Sequence, residues 1–240
     1  MKFVTQAYTS VGGRNNNEDY CMHAGSVWLV ADGLGGHDCG EVASKTASDA
    51  VKSFTANVPE TLDDSLMSEI IQTANMAVIN KQKSNKELES MRTTVVFAIT
   101  NGTSLRYANV GDSRFYYFKQ GRIECISEDH SVSAASVKLG ELAYEDIRND
   151  PDRNKLSKVL GEKENLSVRI PDKEFTLQEG DAFLLCSDGF WEYVYETEME
   201  TDLAKSTNPK EWINYMAKRI VLKTHNNGND NFTAIAVMIG

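Results

Sequence analysis

The run VWLVADGLGGHDCG, residues 27–40, sets how the rest of the chain is read. Val27, Trp28, Leu29 and Val30 are apolar on successive positions, as in a strand buried on both faces. The run then stops on a carboxylate, Asp32, and passes into a glycine-rich stretch. Neither choice helps packing, because a carboxylate at the end of a core strand is costly unless a cation or hydrogen bonds compensate it.

The same grammar recurs twice. FLLCSDGF (183–190) places Asp188 after an apolar run, and NNGNDNFTAIAV (226–237) places Asp230 beside another. Asp-Gly is a common turn dipeptide, so a single instance carries little. Three together predict one shared cation site, with Gly33 and Gly189 letting the backbone approach an ion closely. Carboxylates and carbonyls suit magnesium or manganese; the His and Cys clusters that would favour zinc are absent from the sequence.

Further along, GGRNNNEDY (12–20) adds Arg14, Glu18 and Asp19, and VGDSRFYY (110–117) adds Asp112. An arginine fork can grip phosphate, and further acids can hold metal-bound water, although Arg14 also reads as a surface cation and Asp112 as a turn residue.

The surrounding pattern predicts one α+β domain spanning 1–240. Ala43, Ala47, Ala50 and Val51 recur at helical spacing over Glu41–Phe54, as do Leu66, Ile70, Ala74 and Val78 over 63–80 and Ile213, Met216 and Ile220 over 209–222. TTVVFAIT, SLRYANVG and SRFYYFKQ follow one another at hairpin-like intervals, with Asn101-Gly102 and Gln120-Gly121 as turns. LSVRI (166–170) and DAFLLC (181–186) form a second β block. Strand runs bracket the helices, so the expected architecture is a central antiparallel β-sandwich flanked by helices rather than a doubly wound sheet. The segment 129–152 is polar and aperiodic and reads as a surface excursion.

Composition narrows the function. The chain has 41% hydrophobic and 25% charged residues, within the ordinary globular range, and its net charge of −10 argues against nucleic acid or an anionic membrane as partner. Four widely spaced cysteines without a CxxC pair signal neither a zinc cluster nor a disulfide scaffold. With no apolar leader and no long apolar run, the expected location is the cytoplasm.

Taken in order, RNNNED (14–19), DGLGGH (32–37), VGDSR (110–114), SEDHS (127–131), RNKLSKVLG (153–161), CSDGFWE (186–192) and NDNFTAIAV (229–237) resemble the PPM family, the protein phosphatase 2C type of metal-dependent serine/threonine phosphatase, and its bacterial members most closely. The resemblance implies a four-layer α-β-β-α fold and a centre of two manganese or magnesium ions. Asp32 would bridge the ions, the Gly33 carbonyl and Glu18, through water, would serve one, and Asp188 and Asp230 the other. Asp19 would position a metal-bound water and Arg14 would bind the substrate phosphate. Asp112 with Asp188 matches the ligands of a weaker third ion, and residues 132–152 match a flap. The implied reaction is direct attack of a metal-bridging hydroxide on phosphoserine or phosphothreonine, with no phosphoenzyme.

Leu34 stands where animal members carry a histidine, so His37 enters either as general acid or as a supporting residue near the metals. Arg92 replaces a glycine usual among relatives. The implied protein is a monomer acting on phosphorylated proteins, either kinase substrates or a bacterial serine/threonine kinase itself. The competing expectation is a regulatory scaffold that keeps the fold with weak or no catalysis.

Overall fold

The run at 27–40 does build a buried strand, β3 (Val27–Leu34), and helix α1 begins just beyond it at Gly40. The structure is a computed structural model describing residues 1–35, 39–164, 166–225 and 228–240. Two antiparallel sheets carry the chain. The first runs β1 (Phe3–Ser10), β11 (Phe232–Ile239), β10 (Ala182–Cys186), β7 (Arg114–Lys119), β8 (Arg122–Ile126). The second runs β2 (Asp19–Ala24), β3, β5 (Val95–Thr100), β6 (Ser104–Val110), β9 (Phe175–Thr176), with β4 (Arg92–Thr93) paired to the end of β3.

Side-chain alternation explains why successive residues of these strands are all apolar. In β5, Val96 and Ala98 face the other sheet, whereas Val95, Phe97 and Ile99 face the helices. In β10, Phe183 and Leu185 point between the sheets, whereas Ala182, Leu184 and Cys186 point outward to the second helical layer. The space between the sheets is largely aromatic: Trp28 meets Phe183 edge-on at 5.0 Å, and Tyr107 stacks on Phe115 at 4.4 Å. Such pairs favour tilted or offset packing because the rings carry a quadrupole.

Helices α1 (Gly40–Phe54) and α2 (Asp64–Ser84) cover the second sheet through Ala43, Ala47, Val51, Met67, Ile70, Ala74 and Val78. Asp63 caps α2, its Oδ1 accepting from Leu66 N at 2.8 Å. Trp212, Ile213, Met216 and Ile220 of α6 (Pro209–Thr224) cover the first sheet, with Met199 of α5 (Glu196–Ala204). The layers are therefore α-β-β-α, as the sequence predicts.

Three local expectations change. The interval between β6 and β7 is not a hairpin: the strands belong to opposite sheets, and Gly111–Ser113 carries the chain across. Gly111 has φ of +100°, and a Cβ there would lie 2.6 Å from Thr94 Cγ2, so the crossing requires glycine. LSVRI forms no strand. Leu166 is buried against the α1 and α2 side, and its carbonyl accepts from Gln72 Nε2 at 2.6 Å in place of a strand partner. The excursion at 129–152 contains helix α3 (Val132–Leu139), capped by Ser131 and closed by Gly140 at φ +75°, and a 3-10 turn over Tyr144–Asn149. Only Ser133 of α3 is buried, so the helix leaves no apolar period in the sequence. Between β10 and α5, a single helical turn, α4 (Asp188–Trp191), begins at Asp188.

Candidate metal centre

Four separate connections end at one edge of the sandwich. The end of β3 delivers Asp32, the β6–β7 crossing delivers Asp112, the turn after β10 delivers Asp188, and the approach to β11 delivers Asp230. They line a cavity of about 470 Å³ together with Arg14, Glu18 and Gly33. Convergence of residues from positions 14 to 230 is the main thing that the spacing alone leaves undetermined.

The Asp32 and Asp188 carboxyls both line this cavity and lie close enough to shift each other's ionisation. Burial, then the charges of Asp188, Asp19 and Asp112, hold the Asp32 carboxyl well above the ordinary carboxylate range. Burial, then Glu192 and Asp230, push Asp188 up to about 7. Asp112 is likewise raised, by burial and then by Asp188 and Asp129. Two neighbouring buried carboxylates cannot both ionise without a compensating cation.

Asp19 lies beneath this group. It stands directly opposite Asp32 in the β2–β3 register and accepts from Ser187 Oγ at 2.8 Å, while its buried Oδ1 has no hydrogen-bond partner among the described residues. Burial is the main cause that raises its pKa to about 7. An unpaired carboxylate oxygen in the protein interior is a position for a water or ion.

Backbone hydrogen bonds fix the ligand-bearing segments. Thr94 N donates to Asp32 O at 2.8 Å, Thr94 Oγ1 accepts from Asp32 N at 3.1 Å, and the same hydroxyl shares a 2.7 Å hydrogen bond with Ser113 Oγ. One threonine thus joins the Asp32 strand to the Asp112 crossing. Asn231 performs a similar task at the other side: its Oδ1 accepts from Glu18 N at 2.8 Å and its Nδ2 donates to Val11 O and Asn16 O, both at 2.9 Å. Sequence reasoning assigned no role to either. Asn231 lies within the quoted motif NDNF, the one available signal; Thr94 gives none.

The glycines of the site are closely packed by neighbouring chain. A Cβ on Gly33 would fall 2.1 Å from Gly40 O and 2.7 Å from Glu18 O, and one on Gly189 would fall 2.1 Å from Asn231 O. A Cβ on Gly40 would fall 2.5 Å from Glu18 Oε2. The space a side chain would take is filled by neighbouring chain, which brings α1, Glu18 and β3 into contact. These glycines draw the site's walls together.

Arg14 is engaged. Its Nε and Nη2 donate to Asp230 Oδ1 and Oδ2 at 3.1 and 2.8 Å. The two residues expected to divide between phosphate and metal are paired with each other. His37 lies outside the described residues.

Among the described residues, no three acidic, histidine or cysteine side chains are already grouped so as to hold a metal ion. The donors are instead a buried carboxylate pair, a buried carboxylate oxygen without a partner among the described residues, and further acids around one cavity. Such a set fits hard divalent ions that keep much of their water, magnesium or manganese, and not a four-coordinate zinc site. All four cysteines are free thiols, none of them lining the cavity, and burial raises Cys186 and, to about 11, Cys21.

Known proteins carry the same fold and related sequence. A family model described as Protein phosphatase 2C matches residues 12–226. The serine/threonine phosphatase stp of Listeria welshimeri is 36% identical over 216 residues, covering 88% of this chain and 83% of that protein. The crystal structure of serine/threonine phosphatase Stp1 from Staphylococcus aureus superposes with a TM-score of 0.84 at 30% identity, covering 100% of this chain and 96% of that one. The catalytic domain of the serine/threonine protein phosphatase PstP in complex with two manganese ions matches with a TM-score of 0.85 at 24% identity, covering 100% of both chains. This chain belongs to the protein phosphatase 2C, or PPM, family of phosphoprotein phosphatases.

Proposed function

We propose that the chain hydrolyses phosphoserine and phosphothreonine esters of proteins at the 470 Å³ cavity, using two manganese or magnesium ions. The observation that carries this reading is the gathering of the buried Asp32, Asp112 and Asp188 carboxyls in one cavity, an arrangement that is unfavourable unless cations bind there. The ions, when bound, lower the pKa of water toward neutrality and offset charge on the phosphoryl group.

The chain's own residues supply the rest. Asp32, the Gly33 carbonyl, Glu18, Asp188 and Asp230 would hold these ions, with Asp32 as the ligand common to both. Asp19 holds a water through its buried Oδ1. Arg14, paired with Asp230 at the cavity, would grip the phosphate oxygens with its planar fork. Asp112 and Asp188 hold a weaker third ion. None of the cysteines sits in a phosphate-cradling loop, so the reaction passes through no cysteinyl phosphoenzyme.

Residues 1–240 act as one catalytic unit with 132–152 as its flap, working as a cytoplasmic monomer on the products of serine/threonine kinases. No helix among the described residues is long and apolar enough to cross a membrane. The test is turnover of p-nitrophenyl phosphate and of a phosphothreonine peptide with manganese and after chelation. Chelator-sensitive hydrolysis of both is expected; metal-replete protein inert on both would favour the scaffold reading.

A further inference from the structure

The Asp112 crossing is held from two sides. Thr94 and Ser113 clamp it toward β3, as described above. On the far side Trp191 Nε1 donates to Asp112 O at 2.9 Å, in the protein interior. Trp191 is also the last residue of α4, the single turn that begins with Asp188. One side chain therefore ties the backbone bearing Asp112 to the turn bearing Asp188.

The indole is itself immobilised. The Arg114 guanidinium lies 3.4 Å from the indole ring centroid, and Arg114 is fixed by two hydrogen bonds to Asp129, at 2.9 and 2.6 Å. Arg148, from the 3-10 turn, donates through Nε to Trp191 O at 3.1 Å and through Nη2 to both oxygens of Glu196 at 2.8 and 2.9 Å. A buried indole N–H needs some acceptor. Here the acceptor is the main chain of a cavity carboxylate, and one face of the ring is covered by Arg114.

We infer that Trp191 is a positioning residue that sets the Asp112 carboxylate against Asp188, so that the two can share a divalent cation. The inference rests on the metal-centre reading above. Trp191 touches no substrate; it acts through the peptide that follows Asp112. The cluster around Arg114 and Arg148 then serves as the rigid backing that keeps the donor N–H aimed.

Trp191→Phe tests this, because it keeps an aromatic ring facing Arg114 while removing the N–H donor together with the rest of the five-membered ring. Manganese binding is measured directly, by calorimetric titration and by the electron paramagnetic resonance signal of free Mn²⁺, without substrate. Wild type, Trp191→Phe, Asp112→Ala and the double variant are compared, with thermal melts to verify folding.

Supporting residues of metal ligands typically change affinity by about tenfold or more. The expected result is a loss of about tenfold in the weakest manganese class in Trp191→Phe, loss of that class in Asp112→Ala, and no further change in the double variant. Weak-class binding in Trp191→Phe equal to wild type overturns the inference. So does an equal further loss at the tight sites in the Asp112→Ala background, which would mark Trp191 as merely structural, and so does an Asp112→Ala variant with the wild-type number of ions. Wild-type protein that binds no manganese would instead overturn the metal centre itself, and this inference with it.

Discussion

Two buried carboxylate sites lie within one molecule, and they are built on opposite principles. Asp129 meets Arg114 through a paired fork, with the two side chains only 3% and 2% exposed, and Tyr116, Tyr144 and Trp191 surround the guanidinium. Asp32 lies near Asp188, another acid, with Asp112 and Asp19 contributing the same sign of charge. The first site is complete within the chain and positions neighbouring elements. The second gathers charges of one sign, and on the reading proposed above it is completed by a cation. Burial alone therefore does not distinguish structural from functional carboxylates; the sign of the partner does.

That contrast can be broken by paired substitutions. Asp188→Asn should lower turnover of a phosphothreonine peptide by at least about 10⁴-fold, roughly 5.4 kcal/mol in the barrier, while the protein still folds. Without metal, the same substitution should raise the melting temperature, since it removes one of two neighbouring acids. Near-wild-type rates in Asp188→Asn would sink the ligand assignment. Asp129→Asn should behave oppositely, destabilising by about 3–5 kcal/mol because Arg114 is left buried without its counter-charge. Urea unfolding monitored by tryptophan fluorescence measures this; a loss below about 1 kcal/mol would show that the two sites are not different in kind.

Metal addition sharpens the comparison with a smaller effect. At a concentration a hundredfold above the dissociation constant, a single bound ion stabilises the folded state by about 2.7 kcal/mol. Manganese should therefore raise the melting temperature of wild type, and of Asp129→Asn if it folds, but much less that of Asp188→Asn. An equal shift in all three would place the bound ion away from the carboxylate pair.

The layered fold was legible from sequence because its strands are buried on both faces. Continuous apolar runs at 95–100 and 182–186 signal a sheet between two other layers, and the α1, α2 and α6 stripes identify what covers them. The acidic site residues were legible as acids beside core strands. What stayed hidden depends on contacts distant in sequence. The β6–β7 crossing looks like a hairpin because three residues separate the strands either way, and only the packing of Gly111 on Thr94 distinguishes the two. LSVRI has the composition of a strand but no neighbouring edge to pair with, so α2 claims its carbonyl through Gln72. Thr94 and Asn231 hold the site through backbone hydrogen bonds across chain separations of 62 and 213 residues, which no local pattern records.

Arg14 carries the smallest expected effect on stability and the most specific effect on catalysis. Its side chain and that of Asp230 are 57% and 42% exposed, so the pair is well solvated despite its two-point geometry. Exposed pairs of this kind contribute about 0.2–1 kcal/mol, and Arg14→Ala should therefore shift unfolding by less than about 1 kcal/mol. If the fork leaves Asp230 for the phosphate when a cation arrives, removing it should weaken binding of phosphopeptide and raise KM more than it lowers kcat. The same deletion should tighten manganese binding slightly, since Arg14 and the ion then no longer compete for one carboxylate. Unchanged KM with unchanged metal affinity would show that the Arg14–Asp230 pair is only a surface contact, and the phosphate would need another cationic partner at the cavity rim.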